Sequence, residues 1–225
     1  MGIMDVIGPI MIGPSSSHTA GAAKIGFLAR LIYGKEIHQV IITLFNSFAK
    51  TGKGHGTDKA IIGGILGMKM DDERIPHSFE IAKEKGLEFH FIYLQDPEKH
   101  PNETRIEIID NIKGEKYSIS GYSIGGGHAK IVEINGVKVD FSGKHDMLLI
   151  EYKDVPGMIG YIGEVLGDNH INIAYVQISR DASIGRAMAI LKLDDFCTSD
   201  IVAKLCENKN IINAISFPRL GGTLS

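Results

Sequence analysis

The chain has 225 residues, 44% of them apolar and 23% charged, and a net charge of −3. That length holds one large or two small domains with real cores. The slight acidic excess gives no electrostatic reason to expect nucleic acid or an anionic membrane, and no apolar run reaches the roughly 18 residues of a membrane span.

The apolar start MGIMDVIGPIMIG lacks the basic flank of a secretion signal, and Val6 stands where a myristoylation signal wants Ser or Thr. A cytoplasmic location is the expectation. Downstream, a helix is predicted over 19–33, with Ile25, Leu28, Ala29 and Ile32 on one face, widened by Phe27 and Leu31. IHQVIITLFNSFAKT (37–51) reads as one long strand, and DKAIIGGILGM (58–68) as a second apolar helix. LEFHFIYLQ, TRIEIID, KYSISGYS, AKIVEIN and VKVDFS read as strands, with Asn135-Gly136 as a hairpin turn. Adjacent strands with few helices imply a mainly antiparallel or mixed α+β layer.

The sequence divides near SGKHD, giving domains over 1–143 and 146–225. DMLLIEYKD (146–154) is a predicted strand. A helix with Ile159, Ile162, Val165 and Leu166 at helical spacing follows, which Asp154 can cap and Pro156 can begin. INIAYVQISR is a second strand with Val176 and Ile178 on one face, and DASIG turns into a third, GRAMAILKLDD. Thr198 or Ser199 caps a helix carrying Ile201 and Leu205, and IINAISFPRL is the fourth strand. The order βαββαβ is ferredoxin-like. It places both helices on one face of a sheet and leaves the other open to a second copy.

Four stretches of the first domain carry possible chemistry. In PSSSHT (14–19), Ser15, Ser16, Ser17, His18 and Thr19 lie where a loop meets a helix N-terminus. Unpaired N–H groups, hydroxyls and an imidazole there suit a small anion such as a carboxylate; plain capping needs only one serine. TGKGHGTD (51–58) reads as a glycine-rich loop entering a helix, with His55 between glycines and Thr57 and Asp58 as caps. It is neither a Walker A loop nor a dinucleotide fingerprint. His100 and Asn102 flank a proline in a turn. GYSIGGGH suggests a bulge, or backbone packed closely against something. His38, His77, His90, His145 and His170 stand singly and read as surface or core side chains. In the second domain the candidate site joins the first strand–helix turn to the next strand start. Gly157 there allows close approach, and Asn172 offers a carbonyl to an amino group.

Cys197 and Cys206, nine residues apart, are no CxxC pair and read as two half-buried small apolar side chains beside a helix. Two thiolates do not make a four-cysteine iron–sulfur site.

Taken in order, PSSSHT (14–19), GHGTD (54–58), HPN (100–102) and YSIGGG (122–127) resemble the β subunit of the two-subunit, iron–sulfur-dependent L-serine dehydratase family. The residues from 146 onward resemble an ACT domain, an amino-acid-binding regulatory module. Some phosphoglycerate dehydrogenases carry a domain similar to the first half, but their nucleotide-binding portion has no counterpart here. The resemblance implies an α+β chain: a mixed α/β dehydratase β-chain domain of the allosteric-substrate-binding kind, then a ferredoxin-like ACT domain. It implies loss of the α-proton and β-hydroxyl of L-serine, giving aminoacrylate and then pyruvate and ammonia, with an iron of a [4Fe–4S] cluster acting on the hydroxyl as Lewis acid. The cluster would belong to a partner α subunit, and the ACT domain would support homo-oligomers. The same resemblance makes His55, then His18, the catalytic candidates. It makes Ser15, Ser16, Ser17, Thr19, Gly56, Thr57, Asp58, His100 and Asn102 the contacts to L-serine. Asp154, Pro156, Gly157, Asn172 and Ile173 become contacts to an amino-acid effector, and no residue is a metal ligand. Glu103 departs from the family turn, where a small hydroxyl residue commonly follows the asparagine. Two other readings compete: a non-catalytic amino-acid-binding regulator, and a scaffold whose glycine loops only dock a partner.

Overall fold

The computed structural model describes residues 11–110, 116–142 and 145–219. The apolar segment 1–10 and the middle of the SGKHD junction lie outside them. Two compact units divide the chain, Met1–Ser142 and Gly143–Ser225.

Among the described residues, the first element of the first unit is a wide π-helical turn, Ser16–Ala20, that runs into α1 (Gly21–Tyr33). Then come β1 (Gln39–Phe45), α2 (Asn46–His55), α3 (Thr57–Ile65), a 3-10 turn (Ile75–His77) and α4 (Ser78–Glu84). β2 (Glu88–Leu94), β3 (Glu103–Ile109), β4 (Lys116–Gly125), β5 (His128–Ile134) and β6 (Val137–Phe141) complete it. The sheet runs β2-β1-β3-β4-β5-β6, with β1 and β2 parallel and the other neighbours antiparallel. Val40, Ile42 and Leu44 register against Ile108, Ile106 and Thr104, all fully buried, and form the core face. α1 packs on α3 through glycines. A Cβ on Gly64 would fall on the Ala23 carbonyl oxygen, and one on Gly26 on that of Ile61. The hairpin turn is as expected: Asn135 and Gly136 have φ of 49° and 78°, the two positive values of a type I′ turn.

Several sequence expectations change. The strand over 37–51 stops at Phe45, because Asn46 turns left-handed at φ 50°. Its side chain locks that bend, donating to the carbonyls of Asp96 and Lys99 and accepting the Asp96 N–H. The chain beyond is helix, not strand, and Gly52 and Gly54 lie inside α2 rather than in a loop. Only Gly56, left-handed at φ 67°, separates α2 from α3. Gly56 is therefore the N-cap of α3, Thr57 its first residue, and neither Thr57 nor Asp58 caps it. The α4 helix had no counterpart in the sequence reading.

The second unit follows the expected order: β7 (Asp146–Lys153), α5 (Met158–Asp168), β8 (Ile173–Asp181), β9 (Arg186–Leu193), α6 (Ser199–Cys206) and β10 (Ile211–Phe217). Its sheet, β10-β7-β9-β8, is antiparallel throughout. Leu148, Ile150, Ile162, Leu166, Ala189 and Leu205 are its packed interior. Gly157 is the N-cap of α5 without a side-chain bond; Asp154 instead pairs with Arg180 at 2.7 Å, and Pro156 precedes the helix. Thr198 precedes α6 without a capping bond. Cys197 is fully buried and Cys206 exposed, not half-buried alike. Val176 and Ile178 stand 44% and 43% exposed.

Candidate functional site

Ser15 caps the π-turn, its hydroxyl accepting the His18 N–H at 3.0 Å. The extra width of that turn carries His18 towards α2. There its Nε2 lies 3.1 Å from the Ser47 hydroxyl, and its ring meets the edge of Phe48 and stands 5.0 Å from the ring of His55. The Thr19 hydroxyl donates to the His55 carbonyl at 2.9 Å. The first stretch is thereby tied to both ends of α2.

Ser47, Thr51 and His55 recur every four residues and share one face of α2. The Thr51 hydroxyl donates to the Ser47 carbonyl, and His55 Nδ1 lies 3.1 Å from the Thr51 carbonyl. A carbonyl only accepts, so Nδ1 of His55 carries a proton and Nε2 is the free acceptor of the neutral ring. Burial, and then the neighbouring His55, push the pKa of His18 below its ordinary value; the Ser47 backbone works more weakly in the other direction. Two imidazoles this close resist double protonation.

The HPN turn docks on the start of α2, where the Pro101 carbonyl accepts the N–H groups of Ser47 and Phe48 at 2.8 and 3.2 Å. His100 stacks on Tyr122 with ring centroids 4.3 Å apart, and its Nδ1 accepts the Asn102 N–H. Burial lowers its pKa, against an opposing pull from Glu103. Glu103 is itself buried. It accepts the His100 N–H at 3.0 Å and pairs with Lys99 at 3.1 Å, so the residue that departs from the family pattern staples the turn. The Asn102 carbonyl accepts the Ser123 N–H, and the Gly127 N–H donates to Ser16. Gly125, Gly126 and Gly127 all have positive φ, and the β4–β5 register shifts between Ser123 and Gly125, the bulge the sequence suggested. A Cβ on Gly125 would lie 3.5 Å from the Ser17 hydroxyl, which closes the circle back to the first stretch.

All four stretches thus meet in one cluster. Two polar atoms of this set, Asn102 Oδ1 and Thr57 Oγ1, are buried without a hydrogen-bond partner. Such orphans are costly; Asn102 Oδ1, in a part-buried turn, has capacity for a polar ligand atom, whereas Thr57 is fully buried and packs against Gly52, away from the expected contact with L-serine. Asp58 spends one carboxylate oxygen on the neighbouring Lys59 N–H at 2.8 Å. Sequence reasoning missed Asn46, Ser47 and Thr51, because it ran β1 through them. An asparagine at a strand end, a residue that tolerates the left-handed region, was the available signal.

A four-thiolate cluster does not fit this chain. Burial pushes the Cys197 thiol up to about 11, and Cys206 is exposed on α6. Among the described residues no three of His, Cys, Asp and Glu converge as a metal site.

In the second unit the five candidate effector residues fall into two groups. Lys153 and Asp181 both register with Arg186, while Asp146 and Ile173 both register with Leu193. Asp154, Pro156 and Gly157 therefore follow one end of the sheet, and Asn172 and Ile173 stand at the other, roughly 23 Å away at the usual rise per strand residue. The helix between parallel strands must carry the chain back across the sheet, so a strand's end and the next strand's start cannot share an edge. The Asn172 amide donates to Asp194 at 2.7 Å.

A family model described as serine dehydratase beta chain matches residues 3–87. The chain is 41% identical over 210 residues to the probable L-serine dehydratase β chain of Bacillus subtilis (strain 168), covering 93% of this chain and 94% of that protein. It is 41% identical over 198 residues to the L-serine dehydratase β chain of Peptoniphilus asaccharolyticus, covering 88% and 89%. A D-3-phosphoglycerate dehydrogenase of B. subtilis is 28% identical over 193 residues, which are 85% of this chain but 36% of that one.

Proposed function

The chain belongs to the serine dehydratase β-chain family, and from that premise we propose how its residues serve the reaction. It acts as the β subunit of an L-serine dehydratase, a lyase that works with a partner α subunit and turns L-serine into pyruvate and ammonia. In our reading the cluster of the first unit holds the amino acid. The observation that carries this is the closure of four sequence-distant stretches around two imidazoles 5.0 Å apart, with the orphan Asn102 Oδ1 in the turn that docks on α2. Serine hydroxyls and the first turn of the N-terminal helix suit the carboxylate. Asn102 Oδ1, a buried acceptor, suits the α-ammonium group. His55 Nε2, an acceptor held in place from its other nitrogen, suits a proton in transit.

The iron–sulfur cluster is assigned to the α subunit, since the thiols of this chain do not suit it. The second unit is read as an ACT-type sensor of an amino acid. Its βαββαβ order supports this, and so does the match to a phosphoglycerate dehydrogenase that extends past the first unit. Because the two groups of candidate effector residues lie at opposite ends of one sheet, the reading calls for a second copy to complete the site. The exposed Val176 and Ile178, on one face of edge strand β8, offer an apolar surface for that pairing.

The test is reconstitution with the α subunit under anaerobic conditions, following pyruvate from L-serine. Neither chain alone should turn over, the pair should, and His55→Ala in the pair should be severely impaired. An α subunit equally active alone rejects the shared reaction. A fully active His55→Ala pair favours the scaffold reading instead.

A further inference from the structure

We propose that the Ser47 hydroxyl is a positioning group: it donates its proton to Nε2 of His18 and so makes that imidazole a hydrogen-bond donor through Nδ1. Ser47 is the second residue of α2. A helical serine commonly turns its hydroxyl back to the carbonyl four residues earlier. Here that carbonyl belongs to Thr43 in β1, and it already receives the Thr104 hydroxyl at 3.0 Å. An acceptor within reach of the Ser47 proton is His18 Nε2, at 3.1 Å. The Phe48 ring holds the imidazole edge-on, and His55 is the titratable group that faces it. The burial that lowers the His18 pKa favours the neutral ring, the state in which Nε2 can accept.

His55 is held the opposite way round. Its Nδ1–H is spent on the Thr51 carbonyl and its Nε2 is free. One face of α2 therefore turns two identical side chains into a complementary pair, His18 offering a proton and His55 a lone pair. An amino acid needs both: a donor for its carboxylate, and an acceptor for its ammonium or hydroxyl. The inference rests on the reading of this cluster as the L-serine site.

Histidine-labelled full-length chain, studied by nitrogen NMR, reads the tautomer of each ring directly. Both His18 and His55 should carry the proton on Nδ1, the minority tautomer of free histidine. Ser47→Ala should move the His18 proton to Nε2 and raise its pKa; Ser47→Thr should restore both. In the reconstituted two-chain enzyme, Ser47→Ala should raise KM for L-serine about tenfold with kcat little changed, the pattern of a lost ground-state contact, and Ser47→Thr should recover it. A wild-type His18 protonated on Nε2, or a tautomer indifferent to Ser47→Ala, overturns the inference. A His18→Gln variant with unchanged kinetics, beside an intact tautomer switch, overturns the substrate reading and leaves the hold of Ser47 on the ring standing.

Discussion

Gly64→Ala tests whether the contact between α1 and α3 sets the spacing of the site. The added methyl would fall on the Ala23 carbonyl oxygen, 2.5 Å from the Phe27 nitrogen and 2.9 Å from the Gly26 carbonyl carbon. All three are backbone atoms of one helix, so no side chain can swing aside and the helices must part. Overpacking of this kind costs up to about 3 kcal/mol, and replacing a helical glycine with alanine returns about 1 kcal/mol of propensity. The expected net loss is about 2 kcal/mol, or roughly 4–8 °C in melting temperature for a unit of this size. Parting α1 from α3 also pulls on the bond from Thr19 to the His55 carbonyl, since the residues of that bond lie just ahead of the two helices. Activity of the reconstituted enzyme should fall alongside stability. Calorimetry of the full chain is the assay; two units give two transitions, and only one should move. An unchanged or raised melting temperature would show that the helices do not touch at these glycines, and the reasoning would fail.

Gly54→Ala is the opposite case. Gly54 lies inside α2 with nothing within 4 Å of an added Cβ, so the variant should gain about 0.5–1 kcal/mol in thermal melts. If it folds better yet loses activity in the complex, a ligand or the α subunit approaches the backbone there. The pH dependence of stability follows from His18 and His100, both held below their ordinary value of 6.5 by burial. The unfolded chain binds more protons than the folded one as pH drops below that value, so stability is full above it and declines as pH falls. Melts between about pH 7.5 and about pH 5.5 should show this slope, and His18→Gln should flatten it; a slope identical in the variant counts against the buried neutral ring. A thiol reagent should label exposed Cys206 quickly and Cys197, its thiol at about 11, only on unfolding. Two fast thiols in the native chain would contradict the packing of Cys197.

The second unit was readable in the sequence because its elements carry local signals: Ile162, Val165 and Leu166 keep helical spacing, and β9 is a short continuous apolar run, buried from Ala187 to Leu191. The first unit hides its decisive turn. Nothing in VIITLFNSFAKT separates strand from helix by period alone. The break at Asn46 depends on carbonyls of Asp96 and Lys99, about fifty residues away and invisible to a local reading. The error had a cost for the site. With 46–55 taken as strand and loop, His55 could be suspected for its neighbours, but Ser47 and Thr51, which orient the two imidazoles, could not be. The histidines were legible as residue types; their direction was not.

That direction also says what kind of half-site this is. A dehydratase must fix its substrate, move the α-proton and carry off a hydroxide. The cluster offers a donor, an acceptor, the orphan Asn102 Oδ1 and a helix start, all suited to the first two tasks. Burial pushes the pKa of His18 down, which makes that imidazole a poor acid for a departing hydroxide. Raising the charge here would disturb the arrangement, because a protonated His18 would face His55 at 5.0 Å and its bond with Ser47 would reverse, Nε2–H donating to the hydroxyl. On the proposed reading, the features that would hold an amino acid therefore work against activating the leaving group. On that same reading, a reaction divided between two chains accords with the chemistry of this cluster as well as with the two cysteines of the chain.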